Sequence, residues 1–454
     1  MFGTIQHIHF VGIGGIGMSG IAEVLVNLGF RVSGTDLKES AVTERLRSLG
    51  IELNLGHEAK HIKGAQVVVI SSAVRDDNPE VMAAHVAKIP VIPRGEMLAE
   101  LMRLKQGIAV GGSHGKTTTT SMIAQVLSQA GLDPTIVIGG KLGILGSNAK
   151  LGKGEYLVAE ADESDGSFLM LNPTLAVITN IDREHLDHYK DIEEIRAAFV
   201  EFANKVPFYG SVFACMDDPN VAYVRPLLKR QVKTYGTNPQ VDIRAHDIHQ
   251  DGFFSTFSVT AFGEAIGDFS INVPGHHMVL DALAAIGVAL ELGVAKDQIR
   301  SSLATFCGAD RRFTKKGEKD GVLVVDDYGH HPTEIAATLK AARKGFPERR
   351  IVAAFQPHRY SRTNALIEEF SSAFFEADVV VITNIYAAGE APIPGLSGES
   401  VVDGLRAHGQ REVHYVSKVE DLPEFLKSLT REGDLLMTFG AGTITNVGPA
   451  YLEL

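Results

Sequence analysis

The stretch Val110-Gly111-Gly112-Ser113-His114-Gly115-Lys116-Thr117-Thr118-Thr119 sets narrow limits on how this chain can fold. The apolar run 107–110 before it is long enough for a buried strand. The segment 120–127 after it carries apolar residues at helical spacing. Strand, loop of small residues, Lys-Thr and helix together make the layout of a nucleoside triphosphate loop. Small residues let backbone N–H groups close around phosphate oxygens, and the helix N-terminus adds positive potential. Gly112, Ser113, His114, Gly115, Lys116, Thr117 and Thr118 are therefore expected to hold ATP. Lys116 would reach the outer phosphates, and the Thr117 hydroxyl would join a Mg²⁺ shell. The strict pattern wants a glycine where Val110 stands, so a chance glycine-rich loop is the alternative.

A second glycine loop lies near the start. Residues 5–12 read as a strand, run into Gly12-Ile13-Gly14-Gly15-Ile16-Gly17, and lead to a helix over 18–25. A further strand, 31–36, ends in Asp36. Taken alone, this is a dinucleotide fingerprint, with a pyrophosphate on the helix N-terminus and Asp36 near a ribose. Strands at 67–72 and 90–93 continue the alternation, which means a parallel α/β sheet. A helix over 99–105 closes this first domain.

The second domain begins near 106. Its strand 156–160 delivers Glu160, followed by Asp162, Glu163 and Asp165, and its strand 174–180 leads to Asp182 and His185. Ligands of open α/β sheets sit beyond the carboxyl ends of the strands. Glu160 and His185 are thus expected near the phosphates as Mg²⁺ ligands, with Asp162, Glu163 and Asp165 further out or at the surface. Short alternating strands fill 208–275, a helix opens at Gly275, and a polar linker at 315–321 marks the last boundary. Beyond it, strands at 322–325, 350–355, 379–382, 413–416 and 434–439 alternate with helices. Two polar loops follow strands of this unit, Asp326–Glu334 and Gln356–Thr363. Arg359 and Arg362 could clamp a carboxylate with paired hydrogen bonds. The pair Arg311-Arg312 could bring a guanidinium to ATP.

The length of 454 residues suits three such domains. A net charge of −12 argues against a nucleic-acid surface. Two cysteines without metal-ligand spacing, Cys215 and Cys307, suit a reducing compartment. Neither a signal-peptide pattern nor a membrane-length apolar run is present, so a cytoplasmic protein without membrane insertion is expected.

These motifs together resemble the Mur ligases, ATP-dependent amide-bond-forming enzymes of bacterial cell-wall precursor synthesis. The resemblance rests on Gly12–Gly17 with Asp36, Gly112–Thr118, Glu160–Glu163, Thr179–Asp182 and the last α/β unit. Within the family, the loops Asp326–Glu334 and Gln356–Thr363 are most similar to those of members joining L-alanine to UDP-N-acetylmuramate. The implied fold is α/β with three domains. They are a Rossmann-like UDP-sugar-binding domain (1–105), a central P-loop ATPase-like domain (106–316) and a C-terminal Rossmann-like amino-acid-binding domain (317–454).

The resemblance also implies roles. Gly14, Gly15, Ile16 and Gly17 would hold a UDP-sugar pyrophosphate rather than NAD, with Asp36, Ser71, Ser72 and Arg94 seating the nucleotide sugar. Thr117 and Glu160 would hold one Mg²⁺ and His185 a second. His277, Asp281, Arg312 and Asp327 would serve ATP. Tyr328, His330, Arg359 and Arg362 would bind alanine, with His330 accepting its ammonium proton. A monomer or weak homodimer is expected. The chain departs from the family at Met278 and Asp281, where asparagines are usual, and at Thr443, where Asp or Asn is usual. It also carries Ala197-Ala198-Phe199-Val200 where many members have a carbamylated lysine, so no carbamate is expected. Rival readings are a ligase adding a recycled tripeptide to the same sugar, a dinucleotide-dependent oxidoreductase, and a nucleotide-switched binding protein.

Overall fold

The computed structural model describes residues 3–71, 73–142, 147–186 and 188–454. Among the described residues the chain forms three sheets, each mainly parallel. The first holds β1 (His7–Val11), β2 (Arg31–Asp36), β3 (Glu52–Leu55), β4 (Val67–Ile70) and β5 (Val91–Pro93), in the order β3-β2-β1-β4-β5. β1 is buried along its whole length, as a parallel strand covered on both faces must be. The order reverses beside β1, so the glycine loop that leaves it opens at a switch point of the sheet. The helix of this domain expected over 99–105 is Arg94–Met102, and the strand β3 was not anticipated.

The second sheet has ten strands. They are β6 (Gln106–Gly111), β7 (Thr135–Leu142), β8 (Ser147–Lys150), β9 (Tyr156–Glu160), β10 (Leu175–Ile178), β11 (Ser211–Cys215), β12 (Gln231–Gly236), β13 (Ile243–Asp251), β14 (Phe254–Ala261) and β15 (Glu264–Ile271). The order is β15-β14-β13-β12-β11-β10-β6-β9-β7-β8. β6 lies between β10 and β9, in parallel register with both. The loop after β6 and the acids after β9 and β10 therefore leave the same edge of the sheet.

The third sheet comprises β16 (Thr314–Lys319), β17 (Val322–Asp327), β18 (Ile351–Phe355), β19 (Val379–Thr383), β20 (Val413–Val416) and β21 (Leu435–Phe439), ordered β16-β17-β21-β18-β19-β20. The stretch expected to be a polar linker is thus largely β16, which pairs antiparallel with β17. Its charge, three lysines and a glutamate in six residues, is that of an edge strand, and that polarity is why it reads as a linker. Alternate residues of the inner strands feed two cores. Val325, Ala353, Phe355 and Met437 pack on one face, and Val324, Val352, Ala354 and Leu436 on the other.

The chain divides into two compact units. One comprises Met1–Ala245, Val259–Gly267 and Leu280–Leu303; the other comprises His246–Ser258, Asp268–Val279 and Ala304–Leu454. Among the described residues no helix is long and apolar enough to cross a membrane.

Candidate active site

In the first unit, the glycine loop after β1 is tied to β2. The N–H groups of Gly12 and Ile13 donate to the Thr35 carbonyl at 2.8 and 2.9 Å. Gly14 N–H donates to Asp36 Oδ2 at 2.8 Å, so a Cβ on Gly14 would lie 2.8 Å from that oxygen. Gly15 caps the helix Ile16–Asn27, and Ile16 stands half exposed beside the loop. Ser71 borders Gly12; Ser72 lies outside the described residues. Arg94 lies over Gly17, where a Cβ would meet its Nη1 at 2.9 Å. Its Nη2 donates to Asp162 Oδ2 at 3.0 Å. Asp162, expected at the periphery, therefore pairs with one of the predicted site residues.

The phosphate loop takes the form its glycines permit. Gly112 has φ +139°, and a Cβ there would sit 1.9 Å from Thr179 Oγ1. Gly115 caps the helix Lys116–Gln129 at φ +80°. Residues after β10 brace the loop. Asn180 Oδ1 accepts His114 N–H at 2.8 Å, Asp182 N–H donates to Ser113 Oγ at 2.8 Å, and His114 Nε2 lies 3.0 Å from Asp182 Oδ2. Lys116 Nζ donates to the Gly112 and Ser113 carbonyls at 2.6 and 3.1 Å and to Glu163 Oε1 at 2.9 Å. Burial would lower the Lys116 pKa, but the Glu163, Asp162 and Glu184 carboxylates together outweigh it and the ammonium is held charged. Glu163, read from the sequence as outlying, is instead buried at the centre of the site.

Glu160 ends β9, accepts Gly139 N–H at 2.9 Å and is hydrogen-bonded by Thr117; burial pushes its carboxyl above the usual range. A half-buried carboxylate paired with a hydroxyl is an oxygen-donor set that suits a hard divalent cation. His185 has φ +55°, uncommon for a non-glycine residue. Its Nε2 is 3.5 Å from Glu163 and 3.9 Å from Glu184. Burial lowers its pKa, but these carboxylates carry it above the ordinary value. Thr118 is buried in the first turn of the helix. Asp281, expected to serve ATP, accepts the Thr119 hydroxyl at 2.9 Å and packs on Gly115.

In the second unit, the loops after β17 and β18 flank the loop after β21. Asp327 accepts N–H bonds from Phe313 and Gly329 at 2.8 and 2.7 Å, and burial raises its pKa. Arg312 pairs with Glu334 at 3.4 Å and lies over the Tyr328 ring at 5.3 Å. Burial, with Arg312 adding, lowers the His277 pKa to about 4. The Tyr328, His330, His358 and Tyr386 rings form a row. Tyr328 meets His330 edge-on at 5.4 Å, His330 is 6.0 Å from His358, and His358 stacks on Tyr386 at 5.5 Å.

Arg362 Nη1 lies 3.3 Å from His358 Nδ1. Arg359 has φ +67°, and its N–H donates to the Tyr386 carbonyl at 2.8 Å. Strained residues of this kind cluster at functional sites. The structure thus brings His330, Arg362 and Tyr328 together with His358 and Tyr386, which the sequence reading passed over. His358 stood within the His-Arg-Tyr-Ser-Arg run, whereas Tyr386 carried no local signal.

Comparison with known proteins covers nearly the whole chain. Residues 7–106 match the catalytic domain of the Mur ligase family, 110–289 its middle domain, and 311–442 its glutamate ligase domain. The UDP-N-acetylmuramate–L-alanine ligase of Trichlorobacter lovleyi is 59% identical over 454 residues, covering 100% of both chains. That of Myxococcus xanthus is 57% identical over 447 residues, covering 98% of this chain and 94% of its own. Among solved structures, the UDP-N-acetylmuramate–alanine ligase of Thermotoga maritima superposes with a TM-score of 0.82 at 31% identity, covering 98% of each chain. A murein peptide ligase from Psychrobacter arcticus shares the fold, with a TM-score of 0.71 at 24% identity, covering 99% of this chain and 98% of its own. Three family models in chain order and relatives matched from end to end show that this chain belongs to the Mur ligase family.

Proposed function

We propose that the protein joins L-alanine to the lactyl carboxylate of UDP-N-acetylmuramate, with ATP giving ADP and phosphate, in peptidoglycan precursor synthesis. The observation that carries this reading is the 59% identity, over the full length of both chains, with a ligase of that name. A carboxylate is a poor electrophile, because its charge repels nucleophiles and oxide is a poor leaving group. In the proposed reaction the lactyl carboxylate first takes the γ-phosphoryl group, and the alanine amine then displaces phosphate from the acyl phosphate. Residues 1–105 are assigned the UDP-sugar, 106–316 ATP and 317–454 the amino acid. The enzyme is taken to work in the cytoplasm as a monomer or weak homodimer.

Gly14, Gly15, Ile16 and Gly17, with Asp36, Ser71 and Arg94, are assigned the nucleotide sugar. Lys116 and the phosphate-loop amides are assigned the triphosphate; His277, Asp281, Arg312 and Asp327 also serve ATP. Thr117 and Glu160 would hold Mg²⁺, and His185 a second ion. When bound, Mg²⁺ would neutralise phosphate charge. Arg359 and Arg362 are assigned the alanine carboxylate, and Tyr328 and His330 its amine end, where His330 accepts a proton. The test is phosphate release with ATP, Mg²⁺ and UDP-N-acetylmuramate, run with alanine, other amino acids and a murein tripeptide. Release supported best by alanine is expected. Release supported best by the tripeptide would refute the reading.

A further inference from the structure

Beneath the glycine loop of the first domain lies a buried polar chain that the reaction does not use. At its centre is Glu80, fully buried near the start of the helix Pro79–Val86. Its carboxylate accepts the Thr35 hydroxyl at 2.7 Å and the Glu58 N–H at 3.3 Å, and it faces His61 Nδ1 at 3.1 Å and His9 Nε2 at 3.5 Å. His57 Nδ1 lies 2.9 Å from Thr35 Oγ1 and 3.5 Å from the carboxylate. Further along, Ser33 Oγ sits between His9 Nδ1 and His7 Nε2, at 2.8 Å from each.

The chemistry of these groups fixes the hydrogens that face the carboxylate. An ionised carboxylate only accepts, so Thr35 Oγ, His61 Nδ1 and His9 Nε2 carry the hydrogens that face it. With its hydrogen given to Glu80, Thr35 Oγ1 can only accept from His57, which therefore carries its proton on Nδ1. Ser33 Oγ, with a single hydrogen, links His9 Nδ1 to His7 Nε2 by donating to one and accepting from the other. Burial opposes charge on Glu80, but the bonds from His9, Thr35 and His61 outweigh it and hold its pKa below the ordinary value. Burial likewise lowers the His7 pKa, outweighing the Gly64 backbone contact that raises it.

This chain ends on the parts of the domain that carry the glycine loop. His7 and His9 lie on β1, directly before Gly12–Gly17. Thr35 passes its carbonyl to the N–H groups of Gly12 and Ile13 and precedes Asp36, which holds Gly14. An apolar core would pack these strands without such a network. Buried polar networks are costly unless fully satisfied, and satisfied ones specify a unique geometry. We propose that Glu80 is a positioning residue for the nucleotide-sugar site, whose carboxylate sets the proton order of the histidine–hydroxyl chain and thereby the placement of Gly12–Gly17 and Asp36. The inference rests on the assignment of the UDP-sugar to this loop.

The test compares wild type, Glu80→Gln and Thr35→Val by steady-state kinetics, and reads imidazole tautomers by ¹⁵N NMR. A glutamine amide offers a donor where the carboxylate offered none, so the chain cannot keep its order. The Michaelis constant for UDP-N-acetylmuramate should rise about tenfold, the scale of a lost charge-assisted bond, with that for ATP and the turnover at saturation little changed. The His9 Nε2–H and His61 Nδ1–H tautomers of the wild type should be altered in Glu80→Gln. Thr35→Val removes only the hydroxyl link and answers the kinetic question if the glutamine variant does not fold. An unchanged sugar constant in the folded variants, an equal rise for ATP, or unaltered tautomers would overturn the proposal. Failure of the wild type to bind UDP-N-acetylmuramate would instead defeat the assignment of the loop.

Discussion

The Lys116 ammonium, only partly exposed, lies 2.9 Å from the buried Glu163 carboxylate. The lysine assigned to the phosphates is thus paired within the protein, and on that assignment ATP would draw it away from an acid. Lys116→Ala should lower phosphate release by about two orders of magnitude or more, the scale of removing one preorganised donor from a reacting group. Calorimetric binding of UDP-N-acetylmuramate should stay near wild type. Near-wild-type turnover would sink the assignment of the loop.

Gly14 offers a separate handle on the other ligand. A side chain there would meet Asp36 Oδ2 at 2.8 Å and fill the space over the loop amides. Gly14→Val should weaken UDP-N-acetylmuramate binding and leave ATP affinity little changed. Titration of each ligand alone distinguishes this from reversed domain roles, in which ATP binding would fall instead.

The arginines after β18 should decide acceptor affinity. Burying the alanine methyl contributes roughly 0.8 kcal/mol, whereas a charge-assisted hydrogen bond contributes roughly 1.5–3 kcal/mol. Arg359→Ala or Arg362→Ala should therefore raise the alanine Michaelis constant by about one to two orders of magnitude. Alaninamide should be a poor acceptor; equal use of alanine and alaninamide would contradict the clamp.

His358 gives a prediction in pH. Burial, with the neighbouring His330 and Arg362 adding, lowers its pKa to about 4, whereas a histidine in the unfolded chain titrates near 6.5. Between those values the unfolded state binds the extra proton, so this residue makes stability fall as pH drops from 6.5 towards 4. Thermal melts of His358→Asn should show a shallower loss over that interval than wild type.

The cysteines differ in reach. Cys215 is buried, which pushes its thiol up to about 12, while Cys307 is exposed. A thiol reagent at neutral pH should label Cys307 in the native protein and Cys215 only after denaturation. Two fast-reacting native thiols would contradict the packing around β11.

The parts legible in the sequence were those with local signatures. Gly112, Gly115 and Lys116 announce their loop because phosphate binding needs small residues at fixed spacing, and apolar runs such as Val379–Thr383 announce buried strands. Long-range pairing left less trace. Glu163 reads as one acid among several after β9, and only the fold shows that it, rather than a surface neighbour, faces Lys116. Tyr386 is brought to His358 from the end of another strand. β16 was misread because an edge strand facing water has the composition of a linker.

That strand bears on how the molecule can be taken apart. β16 supplies the antiparallel edge of the third sheet, and Phe313, just before it, is buried in that sheet's core. A fragment begun at residue 317 would lose half the strand and the phenylalanine, leaving the β17 edge open to self-association. The natural seam for dissection or for exchange between relatives therefore lies upstream of Phe313, where the third family match already begins at residue 311.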